Sequence, residues 1–113
     1  MAGEVRSLYR VVESGVPTER DFLSDAERGL RAADWEEPHH RQGLSTWDTL
    51  KKAHDLARFL KKRRGLPALY IAAIDVDEGG PLRVERSGPS EGHYTLYGRP
   101  ADILARARIV RTV

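Results

Sequence analysis

Residues 42–60, Gln42-Gly43-Leu44-Ser45-Thr46-Trp47-Asp48-Thr49-Leu50-Lys51-Lys52-Ala53-His54-Asp55-Leu56-Ala57-Arg58-Phe59-Leu60, decide how the rest of the chain is read. Leu50, Ala53, Ala57 and Leu60 recur at spacings of three and four, the period of a single helix face. Just ahead of them, Gly43-Leu44 runs into hydroxyl and carboxylate side chains, which reads as a short strand over 43–46 opening a helix. Ser45 or Thr46 is expected to cap the first turn, since either oxygen accepts from a backbone N–H three residues on. Asp48 and Asp55 precede the basic run Lys61-Lys62-Arg63-Arg64, the charge order that the helix dipole favours. Gly65 then ends the helix and Pro67 prevents its return.

Upstream, Ser7-Leu8-Tyr9-Arg10-Val11-Val12 reads as a first strand bounded by Ser14-Gly15. A helix is expected from Thr18, a good N-cap followed by Glu19 and Asp21, to Arg28, with Gly29 beyond it. Phe22, Leu23 and Ala26 would face the core. Residues 30–42 show no period and read as a surface excursion anchored by Trp35.

Downstream, residues 68–76 are apolar on both alternating sets, so this strand is expected to be central and covered on both faces. Glu78-Gly79-Gly80-Pro81 is a turn, and Leu82-Arg83-Val84-Glu85-Arg86 alternates as a half-exposed strand does. Residues 93–98 form another strand after a glycine- and serine-rich loop. Pro100 suits the first position of a short helix reaching about Arg106, and residues 107–113 close the chain as a strand. The order β-α-β-α-β-β-β-α-β, with strands bunched late, indicates an α+β fold.

At 113 residues the chain is read as one domain, 1–113, with a single core. No apolar run approaches the roughly 20 residues of a membrane span. The start, Met1-Ala2-Gly3-Glu4-Val5-Arg6, has no apolar signal core, and a cytoplasmic protein with no membrane partner is expected. Cysteine is absent, which excludes disulfides, thiolate zinc sites and a thiol nucleophile. The adjacent His39-His40 pair lacks the spacing of a helical metal site and reads as solvated loop, so no metal is expected. The glycines form neither a dinucleotide fingerprint nor a phosphate loop. Basic residues gather at 61–64 and again at Arg99, Arg106, Arg108 and Arg111, a solvated face or a phosphate-binding surface.

Three features have chemistry beyond this frame: Arg10 after Tyr9 in the first strand, Ser45-Thr46 at the strand-to-helix junction, and Glu91-Gly92-His93-Tyr94-Thr95 entering a late strand. Each also has a plain structural reading, as a strand charge, a helix cap and a turn. In that order and on those elements they resemble the ADP-ribosyltransferase superfamily. Leu8-Tyr9-Arg10 is similar to its first-strand motif, and Gly43-Leu44-Ser45-Thr46-Trp47-Asp48 to its Ser-Thr-Ser strand, with Trp47 where a second serine would stand. The family's Glu-x-Glu is missing; Glu91 and His93 are the nearest replacements.

The resemblance implies a split, mostly antiparallel sheet with two to three helices, and NAD as substrate. It implies that Arg10 holds the pyrophosphate, that Ser45 supports the nicotinamide-side ribose, and that Glu91 or His93 takes the glutamate's catalytic place. Tyr9, Thr46, Trp47 and Tyr94 would complete the NAD-binding walls. The function implied is ADP-ribosyl transfer to a protein or nucleic acid, or NAD breakdown, by a small bacterial toxin-like protein with an antitoxin partner. The alternative is a non-catalytic module that binds protein or nucleic acid through residues 61–64 and the C-terminal arginines.

Overall fold

The computed structural model describes residues 5–24, 26–29 and 42–113. Six strands form one antiparallel sheet: β1 (Val5–Val12), β2 (Leu44–Trp47), β3 (Tyr70–Asp77), β4 (Arg83–Arg86), β5 (His93–Tyr97) and β6 (Ala107–Thr112). Helix α1 (Leu50–Arg64) follows β2, and α2 (Pro100–Ala105) follows β5. The spatial order is β4-β5-β2-β1-β3-β6, so the fold is α+β. No helix among the described residues is long and apolar enough to cross a membrane.

Both faces of this sheet are covered. Leu8, Val12, Leu44, Ala72, Ile74 and Leu96 form one buried layer, closed by Phe22 and by Ile103 of α2. On the opposite face α1 lies over β1, β3 and β2, with Ala53 and Ala57 fully buried. Two methyl side chains one turn apart let the helix backbone approach the sheet closely. Strand β3, buried on both faces over residues 71–74, sits between β1 and β6 as its doubly apolar sequence required.

The junction ahead of α1 departs from the expected capping. Ser45 and Thr46 lie within β2, and Thr49 is the N-cap, its hydroxyl accepting from the Lys52 N–H at 3.2 Å. Strand pairing to β5 through Trp47 keeps the backbone extended past the two hydroxyl residues, so the helix starts later. At the other end Gly65 adopts the left-handed conformation expected of it, with φ of 63°.

The helix expected over 18–28 is instead a 3-10 turn, Glu19–Phe22, followed by a second turn. Two caps compete within six residues. Asp21 accepts from the Thr18 N–H, while Ser24 and Glu27 exchange side-chain-to-backbone hydrogen bonds of 3.0 and 3.1 Å. The second box begins a new turn at Ser24 and so ends the first. Phe22 is buried as expected and Leu23 half-buried, but Ala26 is exposed. The surface excursion read at 30–42, with Trp35, lies outside the described residues except for Gln42.

One strand boundary is incomplete. β1 pairs with β3 from Val5↔Asp77 to Val12↔Tyr70, yet with β2 it registers only at Tyr9↔Trp47. Beyond Tyr9 the two strands separate, and the gap opens into a cleft.

Candidate functional site

Strand alternation decides which side chains meet at that cleft. A row of registered residues, Ala73–Tyr9–Trp47–His93, crosses β3, β1, β2 and β5 on the α1 side of the sheet. Ser45, opposite Thr95, occupies the next row on that side. The Ser45 Oγ and His93 Nε2 are 2.5 Å apart, a diagonal cross-strand pair. Ser45 is exposed and lines the cleft, whereas His93 is buried behind it.

Hydrogen bonding fixes the imidazole. His93 Nδ1 lies 3.0 Å from the Ser87 carbonyl oxygen, which only accepts, so Nδ1 carries the proton. In the neutral ring Nε2 is then the acceptor, and the Ser45 hydroxyl donates to it. The Ser87 hydroxyl, 3.1 Å from Nδ1, also reaches the Thr95 hydroxyl at 2.6 Å. Ser87 and Thr95 are both buried, so a continuous polar chain runs from the cleft surface into the protein. The Trp47 ring packs edge-on to His93 at 4.9 Å between centroids. The Trp47 indole nitrogen is buried with no hydrogen-bond partner among the described residues.

The turn carrying Ser87 depends on glycine. Gly92 has φ of 82°, and a Cβ there would collide with Asp48 and Lys52, an ion pair 3.0 Å apart on the start of α1. The backbone closes the same turn, with Ser87 N–H donating to His93 O and Asp48 N–H donating to Gly92 O.

Arg10 reaches the cleft from the other face of β1. Its Nε–H donates to the Asp21 carbonyl and its Nη1–H to the Ser45 carbonyl, each at 3.1 Å. The guanidinium therefore bridges the 3-10 turn and β2 where the sheet parts. Arg20, Arg28 and Arg64 join it around the cleft, against the carboxylates of Glu13, Glu19 and Asp21. Arg64 and Glu13 form an ion pair at 3.0 Å with both side chains half or more exposed, a weak contribution to stability.

Arg10, Ser45 and His93, three residues singled out in the sequence, are thus in one hydrogen-bonded set, with Trp47 beside them. Glu91 is not part of it: it is exposed in the turn before β5 and does not line the cleft. Thr46 and Tyr94 are turned to the other face by strand alternation. Thr46 is fully buried and donates to the Tyr94 carbonyl at 2.8 Å, while the Tyr94 ring packs on the core beneath the Arg6 guanidinium. Tyr9, half-buried in the registered row, is not a cleft-lining residue. Sequence reading missed Ser87, and it named Thr95 within the late-strand segment without giving it a role. The signal for Thr95 was its i+2 spacing from His93, but Ser87 is brought in only by the turn. Among the described residues no cluster of metal-ligating side chains occurs.

Against protein-family models, curated proteins and solved structures, the chain has no match.

Proposed function

We propose that the cleft binds NAD and that the chain transfers its ADP-ribosyl group to an acceptor or breaks NAD down, on an ADP-ribosyltransferase-like fold. The observation that carries this reading is the pair of hydrogen bonds that link Ser45 to Arg10 through its carbonyl and to His93 through its hydroxyl, three residues from three separate strands beside the gap between β1 and β2. The arginine excess around the cleft suits a pyrophosphate, whose oxygens accept paired hydrogen bonds from a guanidinium. Ser45 presents an exposed hydroxyl for the ribose, and Trp47 a flat wall for a ring. His93, rather than Glu91, is the late-strand residue in contact with the serine.

The test is NAD binding by calorimetry together with nicotinamide release, comparing wild type with Arg10→Ala and Arg10→Lys. Binding that weakens in both variants is expected, because lysine keeps the charge but loses the planar fork. Absence of binding at millimolar NAD overturns the reading.

A second reading has its own observation. At the basic end of α1, Phe59 is 57% exposed and Arg63 lies over its ring at 5.8 Å, amid Lys61, Lys62 and Arg64. An exposed aromatic set among cations suits a non-catalytic surface for single-stranded nucleic acid. Affinity for an oligonucleotide that falls steeply with salt, with no NAD binding, is the result this reading expects. A protein-binding module, a protein acceptor or an antitoxin partner rests on the resemblance alone. A neighbouring antitoxin gene is what a toxin role predicts.

A further inference from the structure

We infer that Ser45 is a nucleophile with His93 as its base, and that ADP-ribosyl transfer in this cleft passes through a covalent Ser45 adduct. The group transferred rests on the NAD reading above; the nucleophile rests on geometry alone.

Three parts are needed to activate a serine: an accessible hydroxyl, a base within hydrogen-bond reach, and a group that orients the base. All three are present. Ser45 is exposed on the cleft, and its Oγ is 2.5 Å from Nε2 of His93. The Ser87 carbonyl, 3.0 Å from Nδ1, selects the tautomer in which Nε2 accepts from the Ser45 hydroxyl. Burial of His93 at 8% exposure, the Trp47 edge contact and the Ser87–Thr95 hydroxyl pair hold the ring in that orientation. An exposed strand serine that only needed a hydrogen-bond partner would find one in water. Here a fixed imidazole stands behind it.

The chemistry balances without any further reagent. The bond from C1′ of the ribose to the nicotinamide nitrogen breaks, and its electron pair neutralises the pyridinium. Ser45 Oγ bonds to C1′, and the hydroxyl proton moves to His93 Nε2. The resulting imidazolium keeps its Nδ1–H bond to the Ser87 carbonyl, which stabilises the charge. In the second half, the oxygen of water or another acceptor bonds to C1′ while Oγ leaves. His93 returns its proton to Oγ, and the acceptor's proton passes to solvent.

The experiment uses the full chain and two probes. A fluorophosphonate is expected to label Ser45, about a hundredfold faster in wild type than in His93→Gln. NAD is expected to leave ADP-ribose on the peptide containing Ser45, seen by mass spectrometry and absent in Ser45→Ala. Added imidazole is expected to restore labelling in His93→Ala, a response that a purely structural histidine would not give. Circular dichroism identifies any histidine variant that fails to fold, and Ser45→Ala, at an exposed position, supplies the comparison in that event. Equal fluorophosphonate rates in folded wild type and His93→Gln overturn the activated nucleophile. Nicotinamide release that persists at the wild-type rate in Ser45→Ala overturns the covalent step and leaves the NAD reading standing. Labelling of Ser45 without NAD binding or turnover has the opposite meaning: it retains the nucleophile and removes NAD as its electrophile.

Discussion

The α1 side of the sheet is of two kinds. Across β1 and β3 the part beneath the helix is apolar, with Ile71 and Ala73 buried there, while farther along the same face Ser7 donates to the Asp75 carboxylate at 2.9 Å; every position of β1 is in register with β3. Across β2 and β5 the same face carries Ser45, His93 and Thr95, and it opens to the cleft. Both halves share the apolar layer behind them, through Leu44 and Leu96 on one side and Leu8 and Ile74 on the other. With that layer in common, the contrast lies in what each half turns toward α1. One half puts dispersion and burial there; the other puts hydrogen bonds whose loss leaves buried groups unsatisfied.

The sharpest way to break this comparison is to remove apolar volume from the first half. Ile71→Ala, at a fully buried position, is expected to cost about 2–5 kcal/mol of unfolding free energy in urea titration. Nicotinamide release by the remaining folded fraction is expected to stay near the wild-type rate. A loss below about 1 kcal/mol means that the helix collapses onto the space and that this half is not tightly packed.

In the polar half the costs divide by residue. His93→Ala strips the Ser87 carbonyl and hydroxyl of a buried partner, and a loss of about 1–3 kcal/mol is expected together with loss of activity. Ser45→Ala, at an exposed site, is expected to change stability by no more than about 0.5 kcal/mol while removing activity. Equal destabilisation by the two changes contradicts a cleft in which the serine serves chemistry and the histidine serves both. Gly92→Ala is expected to lower stability by about 1–3 kcal/mol through backbone strain, and to slow turnover by moving the turn that carries Ser87.

Legibility in the sequence follows the same division. The apolar half was readable because its signals are periodic. Residues 68–76 are apolar on both sets, and the alanines of α1 repeat at four residues. Gly65 and Pro100 marked helix ends by backbone chemistry that does not depend on what surrounds them. The extent of the first helical segment was not readable, because Thr18-x-x-Asp21 and Ser24-x-x-Glu27 are each valid starts, and only the fold decides which caps operate. At the site, motif reading singled out Arg10, Ser45 and either Glu91 or His93, of which the fold links Arg10, Ser45 and His93 by hydrogen bonds, but it treated adjacent residues as one group. A strand sends neighbours to opposite faces, which is why Thr46 and Tyr94 belong to the core side while Ser45 and His93 meet on the α1 side. Ser87 was invisible because its role arises from a turn closing over five residues, 88–92, with no periodic signature of its own.

The smallest expected effect lies at the far end of β5, where the polar half meets the sheet edge. Tyr97 continues the face of Thr95, and its hydroxyl donates to the Glu85 carboxylate on β4 at 3.1 Å. Burial, and then the hydrogen bond and charge of Glu85, push the phenol up to about 12, against the weaker opposing pull of Arg83. Its folded value is thus above that of an unfolded tyrosine, about 10. The stability it contributes is fully present below about pH 10 and is lost as pH rises through 12. Ultraviolet titration is expected to show a phenol ionising near pH 12, and Tyr97→Phe should remove that step. Glu85→Gln is expected to lower it only part of the way, because burial is the larger cause and survives the substitution. If Tyr97 instead ionises near the unfolded value of about 10, water reaches this end of β5. The polar face would then be a wet edge along its whole length, and the protected network around His93 would end at Thr95.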